Sequence, residues 1–332
     1  MPAAIRAALS DAADSPGYPL TAGSPALREA IAGWVERTCR PAGAFGVLPT
    51  IGSKELVGWL PTLLGLGPGD AVVIPSVCYP TYEVGARLVG ATVIRSDDPA
   101  ADAVDSVDSV ADASAVRLVW VNSPGNPTGR VFPPEHLAAT VEWARSIDAV
   151  VASDECYLPL GWDAEPASAL SACGPTTEGV LAVHSLSKRS NLAGYRAGFV
   201  AGDPALVATL LEVRKHAGLI VPAPVQAAMV AALSDESHVA EQRDRYGVRR
   251  AVLAKAVTGA GFRIDHSEAG LYLWATDGAS AWSTVDRLAD LGILVAPGDF
   301  YGPAGASHVR IALTASDERC AAAAARLTAA VA

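Results

Sequence analysis

The fold of this chain is indicated most clearly by residues 180–201, which read Val-Leu-Ala-Val-His-Ser-Leu-Ser-Lys-Arg-Ser-Asn-Leu-Ala-Gly-Tyr-Arg-Ala-Gly-Phe-Val-Ala. Two apolar runs, 180–184 and 197–201, lack Asp, Glu, Lys and Arg and have the length of strands buried on both faces. Ser185 and Lys188 come directly after the first run, and Arg196 follows eight residues after the lysine. A lysine at the end of a buried strand is rarely a solvated surface charge, so Lys188 is a candidate for a chemical role.

Outward from this stretch, short apolar runs alternate with helical patterns. The predicted helices include residues 25–38, a segment from Leu56 with apolar residues at i, i+3, i+4 and i+7, and residues 82–89 and 134–146. The predicted strands are residues 47–51, 71–74, 91–94, 117–121, 149–153, 180–184 and 197–201. This alternation predicts an α/β domain with a mostly parallel central sheet flanked by helices.

The pattern of predicted helices and strands changes near Leu219. Predicted helices at 225–233, 236–256 and 281–291 are interspersed with predicted strands at 271–275, 293–296 and 308–313, and an alanine-rich helix closes the chain. These elements predict a smaller α+β domain. We therefore predict a large domain over residues 39–215 and a small domain that combines residues 1–38 with residues 216–332.

Composition narrows the classes of function. Apolar residues make up 51% and charged residues 18%, which suits a packed globular protein, and the net charge of −10 argues against nucleic acid as a partner. No run of about 18 apolar residues occurs, so a membrane span is not expected, and residues 1–11 lack a signal-peptide pattern. The five cysteines have no C-x-x-C spacing, which predicts neither disulfides nor a metal site and fits a cytoplasmic location. The acidic stretch 97–114 is predicted to be a solvated surface segment.

Four groups of polar residues lie at or just past the ends of predicted strands, which is the edge where open parallel sheets bind ligands. The first group, Gly52-Ser53-Lys54, opens a helix whose N-terminal amides favour an anion such as phosphate. The alternative is that Ser53 is an ordinary N-cap. The second group follows residues 117–121 and reads Asn-Ser-Pro-Gly-Asn-Pro-Thr-Gly. Its Asn126 is either part of a plain turn or an amide donor that points into a crevice.

The third group, Asp154-Glu-Cys-Tyr157, follows residues 149–153. A carboxylate at the buried end of a strand is costly without a cationic partner, which could be a protonated pyridine nitrogen or an ordinary salt bridge. The fourth group is Ser185-Leu-Ser-Lys188 with Arg196, whose hydroxyl and guanidinium groups can hold a phosphate. Four groups of this kind at one sheet edge predict a single polar site.

The motifs Asn-Pro-Thr-Gly (126–129), Asp-x-x-Tyr (154–157) and Ser-x-x-Lys (185–188), with an arginine eight residues further on, occur together over nearly the whole chain. In this combination the chain resembles the class I and II aminotransferases of pyridoxal 5′-phosphate (PLP) fold type I. The resemblance implies that Lys188 holds PLP as a Schiff base and moves a proton between the substrate α-carbon and C4′ of the cofactor. It also implies that Asp154 pairs with the pyridinium nitrogen, while Asn126 and Tyr157 donate hydrogen bonds to the ring hydroxyl oxygen.

The phosphate ligands follow from the same resemblance. Gly52, Ser53 and Lys54 match the loop that binds phosphate, chiefly through backbone amides. Ser185 and Arg196 match the side chains that complete this phosphate site.

Three further residues complete the resemblance. Tyr79, in Cys-Tyr-Pro-Thr-Tyr, matches the aromatic residue that stacks on the cofactor ring. Tyr18 matches the tyrosine that reaches the phosphate of the neighbouring subunit, so a homodimer is implied. Arg310, in Val-Arg-Ile-Ala, matches the arginine that clamps the substrate α-carboxylate. Without the resemblance, Arg310 would be interpreted as a surface residue of a strand.

Within the family, residues 18–28, 52–59 and 214–225 are most similar to the actinobacterial N-succinyldiaminopimelate aminotransferases of lysine biosynthesis. This implies amino transfer between glutamate/2-oxoglutarate and N-succinyl-LL-2,6-diaminopimelate/N-succinyl-2-amino-6-ketopimelate, in either direction. The alternatives are another class I or II aminotransferase, a PLP β-lyase, or a non-catalytic PLP-binding protein. Relatives carry a glycine-containing segment ahead of the position of Met1 that closes over the substrate, so substrate closure and part of the dimer contact are in question.

Overall fold

The computed structural model describes residues 1–102 and 113–330. Its α-helices within these residues are α1 (Ala3–Asp11), α2 (Pro25–Thr38), α3 (Ser53–Leu63), α4 (Thr81–Leu88), α5 (Pro134–Ser146), α6 (Ala169–Ala172), α7 (Leu186–Arg189), α8 (Pro204–His216), α9 (Ala223–Leu233), α10 (Ser237–Gly259), α11 (Ala281–Asp290) and α12 (Asp317–Ala329). Its strands are β1 (Gly46–Ile51), β2 (Ala71–Ile74), β3 (Thr92–Arg95), β4 (Val116–Asn122), β5 (Val150–Asp154), β6 (Val180–Ser185), β7 (Ala197–Gly202), β8 (Arg263–Ile264), β9 (Tyr272–Thr276), β10 (Ala296–Pro297) and β11 (Val309–Ala312). The predicted surface segment 97–114 falls mostly on residues 103–112, which lie outside the described residues.

Seven strands form one large sheet in the order β1-β7-β6-β5-β4-β2-β3. The neighbouring pairs from β6 to β3 are parallel, whereas β7 runs antiparallel to both β1 and β6. The direction of β7 follows from its connection to β6, because residues 186–196 are too few for the crossover that a parallel neighbour requires. The predicted α/β class with a mostly parallel sheet is confirmed.

Helices cover both faces of the large sheet. On one face, Val119 of β4 belongs to a buried cluster that includes Ile31 of α2 and Met229 of α9. On the other face, Leu181 of β6 belongs to a cluster that includes Leu60 of α3. Every residue of β2, β6 and β7 is buried. Burial on both faces explains why these strands are continuous apolar runs rather than alternating patterns.

A second, antiparallel sheet has the order β10-β11-β9-β8 and packs with α10, α11 and α12 around a separate core that includes Leu273 and Ile311. The predicted strand 293–296 is wrong over residues 293–295, since β10 begins at Ala296. The amide of Ile293 instead donates to the carbonyl of Leu288 and closes the end of α11. The predicted domain boundaries stay a prediction. None of the helices described over 1–102 and 113–330 is both long and apolar enough to cross a membrane.

Candidate functional site

The carboxyl ends of β4, β5 and β6 lie side by side, since the strand register pairs Asn122 with Asp154 and Asp154 with Val183. At this edge lies a pocket of about 240 Å³. Its lining comes from both sheets and from connecting segments, and consists of Ser53, Lys54, Tyr79, Asn126, Asp154, Cys156, Tyr157, Ser185, Ser187, Lys188, Ala193, Arg196, Tyr272 and Arg310. The pocket therefore brings together every site residue predicted from the sequence except Gly52 and Tyr18.

Two larger cavities differ from this pocket in their chemistry. A groove of about 540 Å³ beside α10, α11 and α12 is lined mainly by apolar side chains such as Leu253 and Leu327. A cleft of about 600 Å³ shares Ser187, Lys188 and Ala193 with the pocket and is lined largely by polar residues of α7 and α10. We assign the site to the smaller pocket, because a buried carboxylate, two lysines and two arginines converge there.

The carboxylate of Asp154 ends β5 and is only 6% exposed. The hydroxyl of Tyr82 donates to its Oδ2 at 2.7 Å, and the amide of Cys156 donates to its Oδ1 at 3.2 Å. Burial raises the pKa of Asp154, and these hydrogen bonds act in the opposite direction. No arginine or lysine within the described residues forms an ion pair with Asp154, so a negative charge on this carboxylate would lack the cation that its burial calls for.

The turn after β4 is held by the side chain of Asn122. Its Nδ2 donates to the carbonyls of Pro124 and Asp154 at 3.1 and 2.9 Å, and its Oδ1 accepts from the amide of Asn126 at 2.7 Å. These bonds fix Asn126 beside β5, and Oδ1 of Asn126 accepts from Nη1 of Arg310 at 2.9 Å. The Asn126 side chain thus belongs to the pocket and is not an ordinary turn residue.

An anion cradle is formed where α3 begins. Gly52 precedes the helix at a φ of 72°, and a Cβ at this position would lie 2.5 Å from Nη2 of Arg196. Only glycine lets the guanidinium lie so close to the free amides of the helix N-terminus, and both groups attract an anion. On the neighbouring segment, Oγ of Ser185 accepts from the amide of Ser187 at 3.2 Å, which leaves the Ser185 hydrogen free to donate.

Lys188 lies in α7, the single helical turn that follows β6, and it is half-buried. Ser185 is the N-cap of this turn and Ser190 is its C-cap. Lys188 shares the pocket with Cys156, whose thiol has its pKa raised well above the usual range, chiefly by burial. The thiol of Cys156 and the buried carboxylate of Asp154 thus share the pocket with Lys188, which is half-buried, whereas the second lysine of the lining, Lys54, is exposed at the start of α3.

Arg310 on β11 lies close to two aromatic rings. Its guanidinium carbon lies 4.0 Å from the ring centre of Tyr272 and 5.0 Å from that of Tyr301. The hydroxyl of Tyr272 also lies 3.1 Å from the hydroxyl of Tyr157, whose pKa is raised mainly by burial. Arg310, which the strand pattern alone assigned to the surface, therefore points a fixed positive charge at the pocket.

Sequence reasoning missed three residues of this site. Tyr82 and Cys156 stand within the quoted motifs Tyr-Pro-Thr-Tyr and Asp-Glu-Cys-Tyr, so their closeness in sequence to predicted site residues could have identified them. Tyr272 had no such signal, because its place beside Arg310 depends on the pairing of β9 with β11. Tyr18 is fully exposed and does not line the pocket, so a contact with a neighbouring subunit stays a prediction.

Residues 1–327 match the family described as aminotransferase class I and II. The chain is 57% identical to the 4-dedimethylamino-4-oxo-anhydrotetracycline transaminase OxyQ of Streptomyces rimosus, over 98% of this chain and 89% of the relative. It is 58% identical to the probable aminotransferase Rv1178 of Mycobacterium tuberculosis, over 98% of this chain and 76% of the relative. A solved structure of a probable N-succinyldiaminopimelate aminotransferase from Thermus thermophilus is similar, with a TM-score of 0.86 and 29% identity, over 99% of this chain and 91% of that one.

Proposed function

This chain belongs to the class I and II aminotransferases, which depend on PLP, and we propose that it transfers an amino group between glutamate and N-succinyl-2-amino-6-ketopimelate. The observation that carries the proposal is the convergence of Lys188, Asp154 and Arg310 on one pocket. A lysine, a buried carboxylate and an arginine supply the amine, the charge partner and the carboxylate clamp that transamination of an α-amino acid requires.

The polar groups of the pocket fit PLP. The anion cradle of Gly52, Ser53, Ser185 and Arg196 suits a phosphate, and a Cβ at Gly52 would collide with the arginine that completes it. The carboxylate of Asp154, buried and without an ion-pair partner in the described part of the chain, suits a pyridinium nitrogen. When bound, PLP supplies an electron sink that stabilises negative charge at the substrate α-carbon.

The proposed roles of the remaining residues come from the family resemblance and are supported by their contacts. Lys188 attaches the cofactor through its amine and, when released, moves the proton of the substrate α-carbon. Arg310 holds the α-carboxylate with its fork of donors, in an orientation set by Asn126 at 2.9 Å. Tyr157 and Asn126 would donate to the ring hydroxyl oxygen, and Tyr79 would stack on the ring. Lys54 belongs to the phosphate-binding loop, and its Nζ lies 5.8 Å from the centre of the Tyr79 ring.

A homodimer in the cytoplasm is part of the proposal. Tyr18 is fully exposed, so it is free to reach the phosphate site of a second copy of the chain. All five cysteines lie among the described residues and are unpaired, which suits a reducing compartment.

The substrate assignment rests on similarity to the Thermus protein and on the family resemblance of residues 18–28, 52–59 and 214–225. A second candidate is favoured by the 57% identity to OxyQ, whose name specifies a 4-oxo-anhydrotetracycline substrate. On that reading the acceptor is a ketone on a fused-ring system rather than a keto acid.

The experiment is to record the visible absorption of the PLP-loaded protein before and after glutamate is added without an acceptor. We expect glutamate to convert the band of lysine-bound cofactor into that of the aminated cofactor. N-succinyl-2-amino-6-ketopimelate or a fused-ring 4-oxo compound is then added, and the one that restores the original band is the acceptor. An unchanged band after glutamate contradicts the glutamate half-reaction, and failure of the succinylated compound contradicts the substrate assignment.

Lys188 is tested separately with borohydride, which fixes a lysine-bound cofactor to the chain. Lys188→Ala is expected to yield no cofactor-labelled peptide by mass spectrometry. Lys215→Ala, a control at an exposed lysine paired with Glu212, should label as the wild type does. Labelling of Lys188→Ala at another lysine would show that the assignment is wrong.

A further inference from the structure

Tyr272 touches two functional residues at once. Its ring lies 4.0 Å from the guanidinium carbon of Arg310, and its hydroxyl lies 3.1 Å from the hydroxyl of Tyr157. Tyr272 is 8% exposed and lines the pocket. Within the described residues, no second side chain both hydrogen-bonds Tyr157 and makes a hydrogen bond or ring contact with Arg310.

The position of the Tyr272 ring is fixed by the small sheet. β9 and β11 are antiparallel, with Tyr272 opposite Ala312 and Trp274 opposite Arg310. Tyr272 and Arg310 are therefore diagonal neighbours on the same face, a spacing that aromatic and long side chains can bridge. The ring centre of Tyr301 also lies 5.0 Å from the guanidinium carbon, so two rings restrict its movement. The ring of Tyr272 thus holds the cation by packing and by attraction to its π face.

The hydrogen bond between the hydroxyls of Tyr272 and Tyr157 affects where the Tyr157 hydrogen can point. A phenol carries one hydrogen, and Tyr157 is 6% exposed, so its oxygen has few alternative donors. When Tyr272 donates to the Tyr157 oxygen, the Tyr157 hydrogen is free to point into the pocket. A donor that itself accepts a hydrogen bond is also a stronger donor, because the two bonds polarise each other.

We propose that Tyr272 is a positioning residue that joins the substrate-carboxylate clamp to the hydrogen-bond donor of the cofactor ring. Its ring orients Arg310, and its hydroxyl orients Tyr157. This inference rests on the proposed roles of Arg310 and Tyr157. As a consequence, a substrate carboxylate that binds Arg310 affects the hydrogen bond to the cofactor ring oxygen through the Tyr272 side chain.

Two substitutions separate the ring from the hydroxyl. Tyr272→Phe keeps the ring and its volume but removes the donor to Tyr157. Tyr272→Leu removes both. Two measurements on the PLP-loaded protein report the two contacts: calorimetric titration with maleate, an unreactive dicarboxylate, and the pH midpoint of the visible absorption change.

We expect Tyr272→Phe to bind maleate within about twofold of the wild type, because the ring under Arg310 is retained. Its absorption midpoint should move to higher pH by roughly 0.3 units or more, since a weaker Tyr157 donor leaves more negative charge on the ring oxygen, which then holds a nearby proton more tightly. Tyr272→Leu should shift the midpoint in the same direction and weaken maleate binding roughly three- to thirty-fold.

The control is Trp282→Leu, which removes a half-exposed ring lying 5.8 Å from the ring of Phe300, outside the pocket lining. It should change neither measurement. An unshifted midpoint in Tyr272→Phe, or unchanged maleate binding in Tyr272→Leu, overturns this inference while leaving the proposed function intact. A wild-type protein that binds neither PLP nor maleate overturns the proposed function and this inference with it.

Discussion

The hydroxyl of Tyr82 donates a hydrogen bond of 2.7 Å to Oδ2 of Asp154 in a fully buried environment. Tyr82 is held in place by Trp120, whose ring stacks on it with centres 4.7 Å apart and planes 19° from parallel. The carboxylate is therefore oriented by the protein before any ligand arrives. Such preorganisation lowers the cost of presenting a charge in a site that excludes water.

Replacing Tyr82 tests this contact. Tyr82→Phe leaves Oδ2 of Asp154 without its donor, so we expect the free energy of unfolding to fall by about 1–3 kcal/mol and the pKa of Asp154 to rise further. Urea denaturation of the cofactor-free protein measures the first effect. Tyr195→Phe, at a tyrosine that is 43% exposed, is the control and should stay within about 0.5 kcal/mol of the wild type. Equal stability of the two variants would show that the hydrogen bond contributes nothing.

Arg310 is expected to act through its fork of donors rather than through charge alone. Arg310→Lys keeps the charge but loses bidentate binding and the stacked contact with Tyr272. The rate constant for glutamate at subsaturating concentration should fall at least tenfold, about 1.4 kcal/mol, while the absorption band of bound PLP is retained. Single-turnover absorption kinetics provide the measurement. Arg319→Lys, at an exposed residue of α12, should behave as the wild type, and similar rates for both variants would contradict the role of Arg310.

The start of α3 depends on a buried ion pair. Arg214 of α8 has no exposed side-chain surface and donates to both oxygens of Glu55 at 2.7 and 2.9 Å, and Glu55 also accepts from the amide of Ile51 at 3.2 Å. Arg214→Met should lower the free energy of unfolding by about 3–5 kcal/mol, because it leaves an uncompensated carboxylate beside the helix that carries Ser53.

Chemical denaturation measures this loss, with Lys215→Met as the matched control. Lys215 neighbours Arg214 but forms a surface ion pair with Glu212, so its loss should cost no more than about 1 kcal/mol. Adding Glu55→Met to Arg214→Met should recover part of the stability, because no buried charge is then left unpaired. A double variant less stable than the single one would contradict this explanation.

A buried cluster behind the site should give stability a characteristic dependence on pH. Nε2 of His184 lies 3.5 Å from Oε2 of Glu155 and 3.5 Å from Sγ of Cys39. Burial lowers the pKa of His184 from 6.5 to about 3 and raises the pKa of Glu155 from 4.5 to about 7. His184 thus contributes stability that is present above pH 6.5 and is lost as the pH falls toward 3, whereas Glu155 contributes stability that is present below pH 4.5 and is lost as the pH rises toward 7.

The two residues are therefore expected to respond in opposite directions. Relative to the wild type, Glu155→Gln should become more stable as the pH rises from 4.5 to 7, and His184→Gln should become more stable as the pH falls from 6.5 to 3. Urea titrations at a series of pH values measure both differences. Parallel profiles for either variant and the wild type would mean that the residue keeps its ordinary pKa in the folded protein.

Much of the large sheet could be predicted from the sequence, because strands buried on both faces need apolar side chains at every position. The run 71–74 is β2 with the predicted bounds, and 180–184 is extended only to Ser185. The prediction failed at 293–295, where an equally apolar segment closes a helix instead, as the amide of Ile293 finds its acceptor in Leu288. The local hydrophobic pattern does not distinguish a buried strand from a segment that closes a helix. In both cases the segment is apolar and its backbone groups find hydrogen-bond partners.

The sequence by itself determined which residue types stand at the ends of the strands. Asp154, Ser185 and Lys188 follow buried runs, and parallel strands bring their carboxyl ends to one edge. The small sheet adds two further side chains: Arg310 was expected in the site from the family resemblance and not from its strand pattern, and Tyr272 was placed there by the tertiary structure alone. The physical reason is that hydrophobic periodicity records burial along one element, whereas contacts between sheets depend on register and packing across the whole chain.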